Sequence, residues 1–343
     1  MNLFPRLTRL SARHLAGLSL VFNLPLALLK IHRGAFDTYV HIFLADHYRR
    51  AWFDLWEPRW YMGFSVASYP PLVHQLIALL SWPLEAGLRW LQPGPERFRG
   101  ATLWQGEEAA YVLVLLGALV LLPLAVRAFA GLFVGPRTAN LAGLLAVVTP
   151  GLSLVAWSFG QLPSLMATGM VLLALARGRR YLVGGRRRDL LQAVSLAAVA
   201  AATHHGVFLF VPFAGAAVVG QVVSGQWLVV SGQGSVGRGQ SARPHFGQGS
   251  RRKAGERGSV FWRHLLVRVL AWTGLSGLAV AGVLWPLLVW SRGQSLQAPI
   301  DHLSRHNLLL DLKATFFFFW PVYGPLLLVL PWMTWAHQVS PRP

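Results

Sequence analysis

The sequence predicts an all-α fold, a polytopic transmembrane helical bundle, on two observations. The 343-residue chain is 54% hydrophobic and only 13% charged, with a mean hydropathy of +0.47, whereas a soluble globular chain has about 25% charged residues. The uncharged residues fall in about eight or nine apolar segments, several of them long enough to cross ~30 Å of hydrocarbon as a helix. A membrane β-barrel would require strands of about ten residues that alternate in polarity, and the sequence lacks that pattern.

The apolar segments follow one another with polar interruptions. Residues 36–53 carry apolar and aromatic side chains at helical spacing, which predicts an amphipathic helix lying along the membrane surface. Residues 71–91 resume an apolar helical pattern, with proline in the first turn. The other expected helical segments are 15–31, 109–133, 138–157, 162–176, 189–223 (a hairpin interrupted at 203–206), 264–290 and 314–335.

The chain divides into three regions. Residues 1–223 are expected to form a transmembrane module whose first loop, 32–70, is rich in acidic, histidine and aromatic residues. Residues 224–263 are basic and rich in Gly, Ser and Gln, which predicts a low-complexity linker on the cytoplasmic side. Residues 264–343 are expected to hold the C-terminal spans, and to be truncated relative to a longer protein.

The formal charge of +19 comes largely from arginines concentrated in a few loops, as in membrane proteins whose basic loops are cytoplasmic. Nucleic-acid binding is therefore not expected. The same rule places 177–188 and 224–263 inside, and the loops 32–70 and 92–108 outside. If the loops at both ends of 71–91 are on the outer side, this segment cannot cross the membrane once. Either it is re-entrant or peripheral, or another span is miscounted.

The chain contains no cysteine, which excludes disulfides, thiolate catalysis and cysteine-ligated metal sites.

The first loop and two later turns carry a set of short motifs. They are Asp37-x-x-x-His41, Trp56-Glu57-Pro58-Arg59-Trp60 with Gly63, Tyr69-Pro70-Pro71-Leu72, Gly160-Gln161-Leu162-Pro163 and the pair His204-His205. The arrangement resembles the GT-C superfamily, integral-membrane glycosyltransferases that use polyprenyl-phosphate-linked sugars. Within it, the arrangement resembles most a bacterial group labelled 6-pyruvoyl-tetrahydropterin synthase-related membrane proteins.

The resemblance implies a GT-C-like helical bundle with its site on the outer face. In that superfamily an acid early in the first outer loop acts as a general base or helps to hold a metal ion, and Asp37 has that position. Gln161 stands where many members have a second acid, which weakens a two-carboxylate metal site. His205-Gly206 stands where many members have Lys-Gly near the lipid phosphate.

Asp37 and His41 are the predicted catalytic residues. A carboxylate partly desolvated by aromatic rings has a raised pKa and suits a general base; the alternative for Asp37 is a solvated loop residue or a helix N-cap. His41 lies one helical turn later, on the same face. It would share a proton with Asp37 or bind a divalent ion, or else anchor the chain at the membrane interface.

The predicted substrate contacts come from separate parts of the chain. Trp60 and Tyr69 would stack on sugar faces, although aromatic residues also populate the membrane interface. His204 and His205 would contact a lipid phosphate when protonated, or form a polar outer turn. Arg305 is the preferred phosphate contact because a guanidinium binds phosphate oxygens bidentately; its alternative is a juxtamembrane anchor. Gln161 completes the expected set.

The predicted function is transfer of a sugar from a polyprenyl-phosphate carrier to an acceptor at the outer face of a membrane. The expected partners are this lipid-linked sugar and membrane lipid, the cofactor is unknown, and participation of a divalent metal ion is left open. The expected location is the bacterial cytoplasmic membrane, with the site on the periplasmic or extracellular side. A non-catalytic relative that assists polysaccharide assembly or export is the alternative; a transporter is disfavoured because the sequence has no inverted repeat.

Overall fold

The structure is a computed structural model that describes residues 11–60, 63–91, 105–209, 211–230 and 248–293. Helices make up most of it. The α-helices are α1 Ala12–Leu28, α2 Thr38–Arg50, α3 Leu72–Leu91, α4 Gly106–Ala130, α5 Pro136–Val148, α6 Pro150–Trp157, α7 Leu162–Gly184, α8 Arg187–Thr203, α9 Val211–Val230 and α10 Gln248–Gly293. Short 3₁₀ helices cover Ile31–Gly34, Val66–Ser68 and His205–Leu209. The mainly helical fold expected from the sequence is confirmed for these residues.

A two-stranded antiparallel hairpin in the first loop departs from the all-α prediction. It consists of β1 Trp56–Glu57 and β2 Phe64–Ser65, with Trp56 opposite Ser65. Gly63 closes the hairpin with φ 124°, and a Cβ atom there would lie 2.0 Å from the Trp56 ring. The hairpin therefore requires glycine at this position, since other residues rarely adopt such a φ.

Two helices in the described residues are long and apolar enough to cross a membrane: Gly106–Ala130 (α4) and Trp262–Leu287 within α10. A third span results if α5 and α6, which meet at a bend of 44°, are counted as one. A bundle of eight or nine spans is not confirmed. Other apolar helices such as Ala12–Leu28 and Leu72–Leu88 fall below the same length limit.

The first hydrophobic core surrounds α4. Tyr111 and Leu115 of this helix are fully buried, as are Ile77 of α3 and Leu162 of α7. Burying one such side chain stabilises the fold by about 1.5–3 kcal/mol. This core fixes the start of α3 and the start of α7 relative to α2, and these three elements carry most of the candidate site residues.

The second core joins α7, α8, α9 and α10. It contains Leu182, Ala193, Val218 and Trp272. Gly178 of α7 lies against the indole of Trp272, where a Cβ atom would stand 2.3 Å from the ring. The close approach of α7 and α10 therefore depends on this glycine.

Two predicted boundaries need correction. Helix α7 was expected to end at residue 176, but it continues through the arginine run to Gly184 and ends where Gly185 adopts φ 67°. Residues 224–263 were expected to be a linker, but α9 continues to Val230 and α10 begins at Gln248. Residues 231–247 and the predicted span 314–335 lie outside the described residues.

Candidate functional site

The first loop is held in shape by ion pairs that cancel most of its charge internally. Glu57 is 1% exposed; its Oε2 lies 3.0 Å from His47 Nδ1, and its Oε1 accepts a hydrogen bond of 2.7 Å from Arg59 Nε. Arg59 also donates to Asp46 at 2.7 Å. His47 is buried, although the pattern Asp46-His47 in this helix is typical of a solvated face.

Two further clusters attach the loop to α4. Glu108 receives a bidentate pair of hydrogen bonds from Arg33, at 2.6 and 2.9 Å, and lies 2.9 Å from His32 Nε2. On α2, Arg49 forms ion pairs with Glu85 of α3 and Glu107 of α4. Because Arg33 precedes α2 and Arg49 lies in its last turn, the two clusters attach both ends of this helix to α4.

The position of Asp37 is set by backbone contacts with residues 158–160. The N–H groups of Phe36 and Asp37 donate to the carbonyls of Ser158 and Phe159, each at 3.1 Å. Gly160 follows with φ 69°, and a Cβ atom there would lie 2.9 Å from the backbone nitrogen of Thr38. Glycine at 160 is thus what lets the two segments lie side by side.

The side chain of Asp37 contacts Gln161. The amide Nε2 of Gln161 donates to Asp37 Oδ2, and Ser164 Oγ donates to Gln161 Oε1 at 3.3 Å. Asp37 is the N-cap residue of α2, but its side chain makes no capping hydrogen bond. The carboxylate of Asp37 therefore faces α7, and the side-chain amide of Gln161 lies beside it.

His41 forms a buried pair with His74 of α3. The two rings are joined by a hydrogen bond of 3.0 Å between His41 Nδ1 and His74 Nε2, and they are only 5% and 1% exposed. Tyr111 stacks on His41 with ring centroids 6.4 Å apart. Burial lowers the pKa of His41 to about 4, since desolvation disfavours a charged imidazole.

The histidine pair presents one donor and one acceptor. Two neutral imidazoles hold two N–H protons on four nitrogens, and one of these protons lies between the rings. The outer nitrogens, His41 Nε2 and His74 Nδ1, are buried and lack a hydrogen-bond partner among the described residues. One of them carries the second proton, and the backbone carbonyls of Gly160 and Pro70 lie beside the two rings as acceptors.

Sequence reasoning missed His74 as a site residue. A histidine in the first turn of an otherwise apolar helix needs a polar partner when it is buried, and this was the available signal. Its partner could not be identified because residues 41 and 74 belong to different elements.

A cavity of about 140 Å³ brings together five of the residues predicted to form the site. They are Asp37, His41, Tyr69, Gln161 and His204. His74 also lines this cavity, which we name the polar cavity. Its walls come from α2, α3, the loop before α3, the start of α7 and the end of α8.

Three predicted residues lie elsewhere or are not described. His205 lines an adjoining cavity of about 230 Å³, which shares Tyr69 and Pro70 with the polar cavity. Trp60 packs on Phe43 with ring centroids 5.1 Å apart and does not line either cavity. Arg305 lies outside the described residues.

The polar cavity contains histidine but no arginine or lysine among the described residues that line it. Burial lowers the pKa of His204, and the neighbouring His205 lowers it further. Within the described ranges, no group of three or more His, Asp or Glu side chains is arranged to hold a metal ion. The arrangement offers a carboxylate, neutral imidazoles and an amide to a ligand.

A third cavity, of about 740 Å³, lies between α7, α8, α9 and α10 and is almost entirely apolar. Residues of α8 line all three cavities. Ala197 lines the apolar one, Ala201 the adjoining one, and Thr203 the polar one. The last two turns of this helix therefore contribute to each of them.

Comparison of the chain with protein-family models, curated proteins and solved structures gives no match.

Proposed function

We propose that this protein is a membrane glycosyltransferase of GT-C type, which moves a sugar from a polyprenyl-phosphate carrier to an acceptor hydroxyl. One observation supports the proposal: residues 37, 41, 69, 161 and 204, which come from four separate parts of the chain, line one cavity. The sequence motifs alone predict these five residues as site residues. Their location around one cavity supports that prediction.

The proposed reaction assigns the proton to Asp37. Its carboxylate accepts the proton of the acceptor hydroxyl, the acceptor oxygen bonds to the anomeric carbon, and the bond from that carbon to the phosphate oxygen breaks. The carrier phosphate leaves with the bonding electron pair. His204 and the His41–His74 pair lie where they would hydrogen-bond the sugar or its phosphate.

The two kinds of cavity support an amphipathic substrate. A ligand with a polar head and a long apolar chain needs both polar and apolar space, and residues of α8 line cavities of both kinds. In the proposed orientation the polar cavity faces the outer side of the cytoplasmic membrane, and the arginine-rich turns face the cytoplasm.

The alternative is a non-catalytic membrane protein that retains the site and assists polysaccharide assembly or export. Gln161 favours this alternative. Its amide donates a hydrogen bond to one carboxylate oxygen of Asp37, and it stands at the position where many GT-C members have a second acid. The absence of a permanent cation from the described lining of the polar cavity favours it as well.

An assay of Asp37→Asn tests the proposal. Purified full-length protein is reconstituted in vesicles and given a panel of radiolabelled polyprenyl-phosphate sugars. We expect transfer to fall at least about 100-fold, as for loss of a general base, while binding of the donor is retained.

Asp54→Asn is the matched control. This residue is an exposed acid in the same loop, and its Oδ1 accepts from the Trp56 N–H at 2.9 Å, as an amide oxygen also would. Unchanged transfer by Asp37→Asn would refute the assigned role. Donor binding without transfer by the unmodified protein would favour the non-catalytic alternative.

A further inference from the structure

The end of the molecule opposite the polar cavity carries a concentrated positive charge. It comprises the α4–α5 turn, 131–135, and the α7–α8 turn, 184–186, and we name it the basic end. Gln221 of α9 links the two: its Nε2 donates to the carbonyl of Leu132 at 3.3 Å, and its Oε1 accepts from Arg179 at 2.6 Å. The segments 127–140 and 177–189 contain one acid, Asp189.

Several arginines at this end have structural contacts. Arg127 donates to Asn140 at 2.6 Å, and Arg177 lies 3.5 Å from Asp189. Arg268 of α10 donates to the carbonyls of Leu182 and Val183, at 2.9 and 3.1 Å, and so stabilises the end of α7. These arginine side chains therefore stabilise the fold.

A second set of arginines does not have this structural role. Arg137, Arg180, Arg186, Arg187, Arg188 and Arg263 are exposed, and none of them has a carboxylate partner among the described residues. Three of them are consecutive and open α8. Charge of one sign that is not needed for folding is free to bind an anionic partner.

The position of these arginines indicates the kind of partner. The candidate span α4 ends at Ala130, just before the first turn, and Arg263 lies in the first turn of the candidate span Trp262–Leu287. In a membrane crossed by these two helices, Arg137 and Arg263 would lie at the depth of the phospholipid headgroups. The link through Gln221 holds the α7–α8 turn at the same end of the molecule. Arginine binds phosphate oxygens bidentately.

We infer that the basic end is a binding surface for the headgroups of anionic phospholipids, with Arg186, Arg187 and Arg188 as its centre. Basic residues beside membrane spans attract anionic lipids through both charge and direct phosphate contacts. This surface is separate from the polar cavity, so the inference does not depend on the proposed glycosyltransferase activity.

Lipid-dependent stability tests the inference. The full chain is purified in a neutral detergent, and its thermal unfolding midpoint is measured with phosphatidylglycerol or with phosphatidylcholine of the same acyl chains. We expect a higher midpoint with phosphatidylglycerol, and a smaller difference between the two lipids when salt is raised from about 50 to about 500 mM.

The triple variant R186Q/R187Q/R188Q removes the centre of the surface. Because a basic residue near an anionic surface contributes about a fivefold gain in affinity, we expect the apparent affinity for phosphatidylglycerol to fall about 100-fold. The matched variant R186K/R187K/R188K keeps the charge and should keep most of the lipid effect. Comparing two lipids within each variant removes any change in intrinsic stability.

Three results would overturn the inference. One is an undiminished difference between the lipids in the glutamine variant. Another is an equal loss in the lysine variant, which would show that charge near the headgroups is not the cause. The third is stabilisation by a short DNA duplex as large as that by phosphatidylglycerol at equal salt, which would indicate a general polyanion site.

Discussion

At the scale of single residues, the polar cavity depends on two imidazoles that are kept neutral. His41 and His74 are buried and share one hydrogen bond. The charged groups and phenols near His41 are Asp37, Tyr69, Tyr111 and His204. The fold therefore opposes protonation of His41, and its stability must depend on pH.

The expected pH dependence has a definite sign. Burial lowers the pKa of His41 to about 4, from an ordinary value of 6.5. Between these two values the unfolded chain binds a proton that the folded chain does not, so acid favours unfolding. The contribution of His41 is complete above pH 6.5 and is lost as the pH falls toward 4. Its size is about 3 kcal/mol at most.

Chemical denaturation across this pH range measures the effect. We expect His41→Gln to reduce the fall in unfolding free energy between pH 6.5 and 4, because the variant has no imidazole to protonate at this position. Part of the fall remains, because burial lowers the pKa of His74 to about 3. His264→Gln removes an exposed histidine of α10 and should leave the slope unchanged. Equal slopes in all three proteins would contradict the assignment.

At the scale of elements, the site depends on the turn between α6 and α7. Residues 158–161 supply two carbonyls to the start of α2 and the amide that binds Asp37. The sequence identified Gly160 and Gln161 as part of a motif, but it could not indicate that this turn packs beside residue 37. Contacts between distant segments are not encoded in local spacing.

Gly160→Ala tests this element. Alanine at φ 69° costs about 1 kcal/mol, and its Cβ would lie 2.9 Å from a backbone nitrogen that cannot move independently. We expect a total loss of about 2–3 kcal/mol in the free energy of unfolding, measured by thermal or chemical denaturation. Transfer activity should fall as well, because the added Cβ displaces the backbone of Asp37 and Thr38.

Gly117→Ala is the control for this change. Gly117 lies within α4, and a Cβ atom there would meet nothing within 4 Å. Alanine in a helix interior is favoured over glycine by about 0.5–1 kcal/mol, so this variant should be slightly more stable. A Gly160→Ala protein as stable as the unmodified one would show that the turn adapts.

The element boundaries show what local sequence can and cannot predict. The amphipathic helix expected at 36–53 occurs as Thr38–Arg50, because its spacing of apolar residues is a local property. Helix α7 exceeds its expected end because Arg177 and Arg179 find partners in α8 and α9, Asp189 and Gln221. An arginine run predicts a cytoplasmic loop, although arginines also pair across helices.

At the scale of the whole molecule, charge is distributed unequally between two ends. The acids of the first loop, from Asp37 to Glu57, lie with the polar cavity, and the arginines of the basic end lie at the other termini of the helices. The helix α4 connects them, since Glu108 in its first turn binds Arg33 and Arg127 in its last turn binds Asn140.

This asymmetry predicts an orientation that single-cysteine labelling can measure. The chain has no cysteine, so one introduced residue is the sole target for a membrane-impermeant maleimide. Asp54→Cys places it in the exposed part of the first loop, and Gly135→Cys places it in the α4–α5 turn, where a Cβ atom meets nothing within 4 Å. Because basic loops remain cytoplasmic, we expect Asp54→Cys to be labelled in right-side-out vesicles and Gly135→Cys in inverted ones.

The labelling pattern also tests whether α4 crosses the membrane. Labelling of both positions from the same side would contradict a single crossing between residues 54 and 135, and would require α4 to be re-entrant or an even number of crossings in that interval. Labelling with the sides exchanged would keep the crossing but place the polar cavity in the cytoplasm. A cytoplasmic cavity could not act on an acceptor at the outer face, so this result would refute the proposed orientation and leave the cavity itself intact.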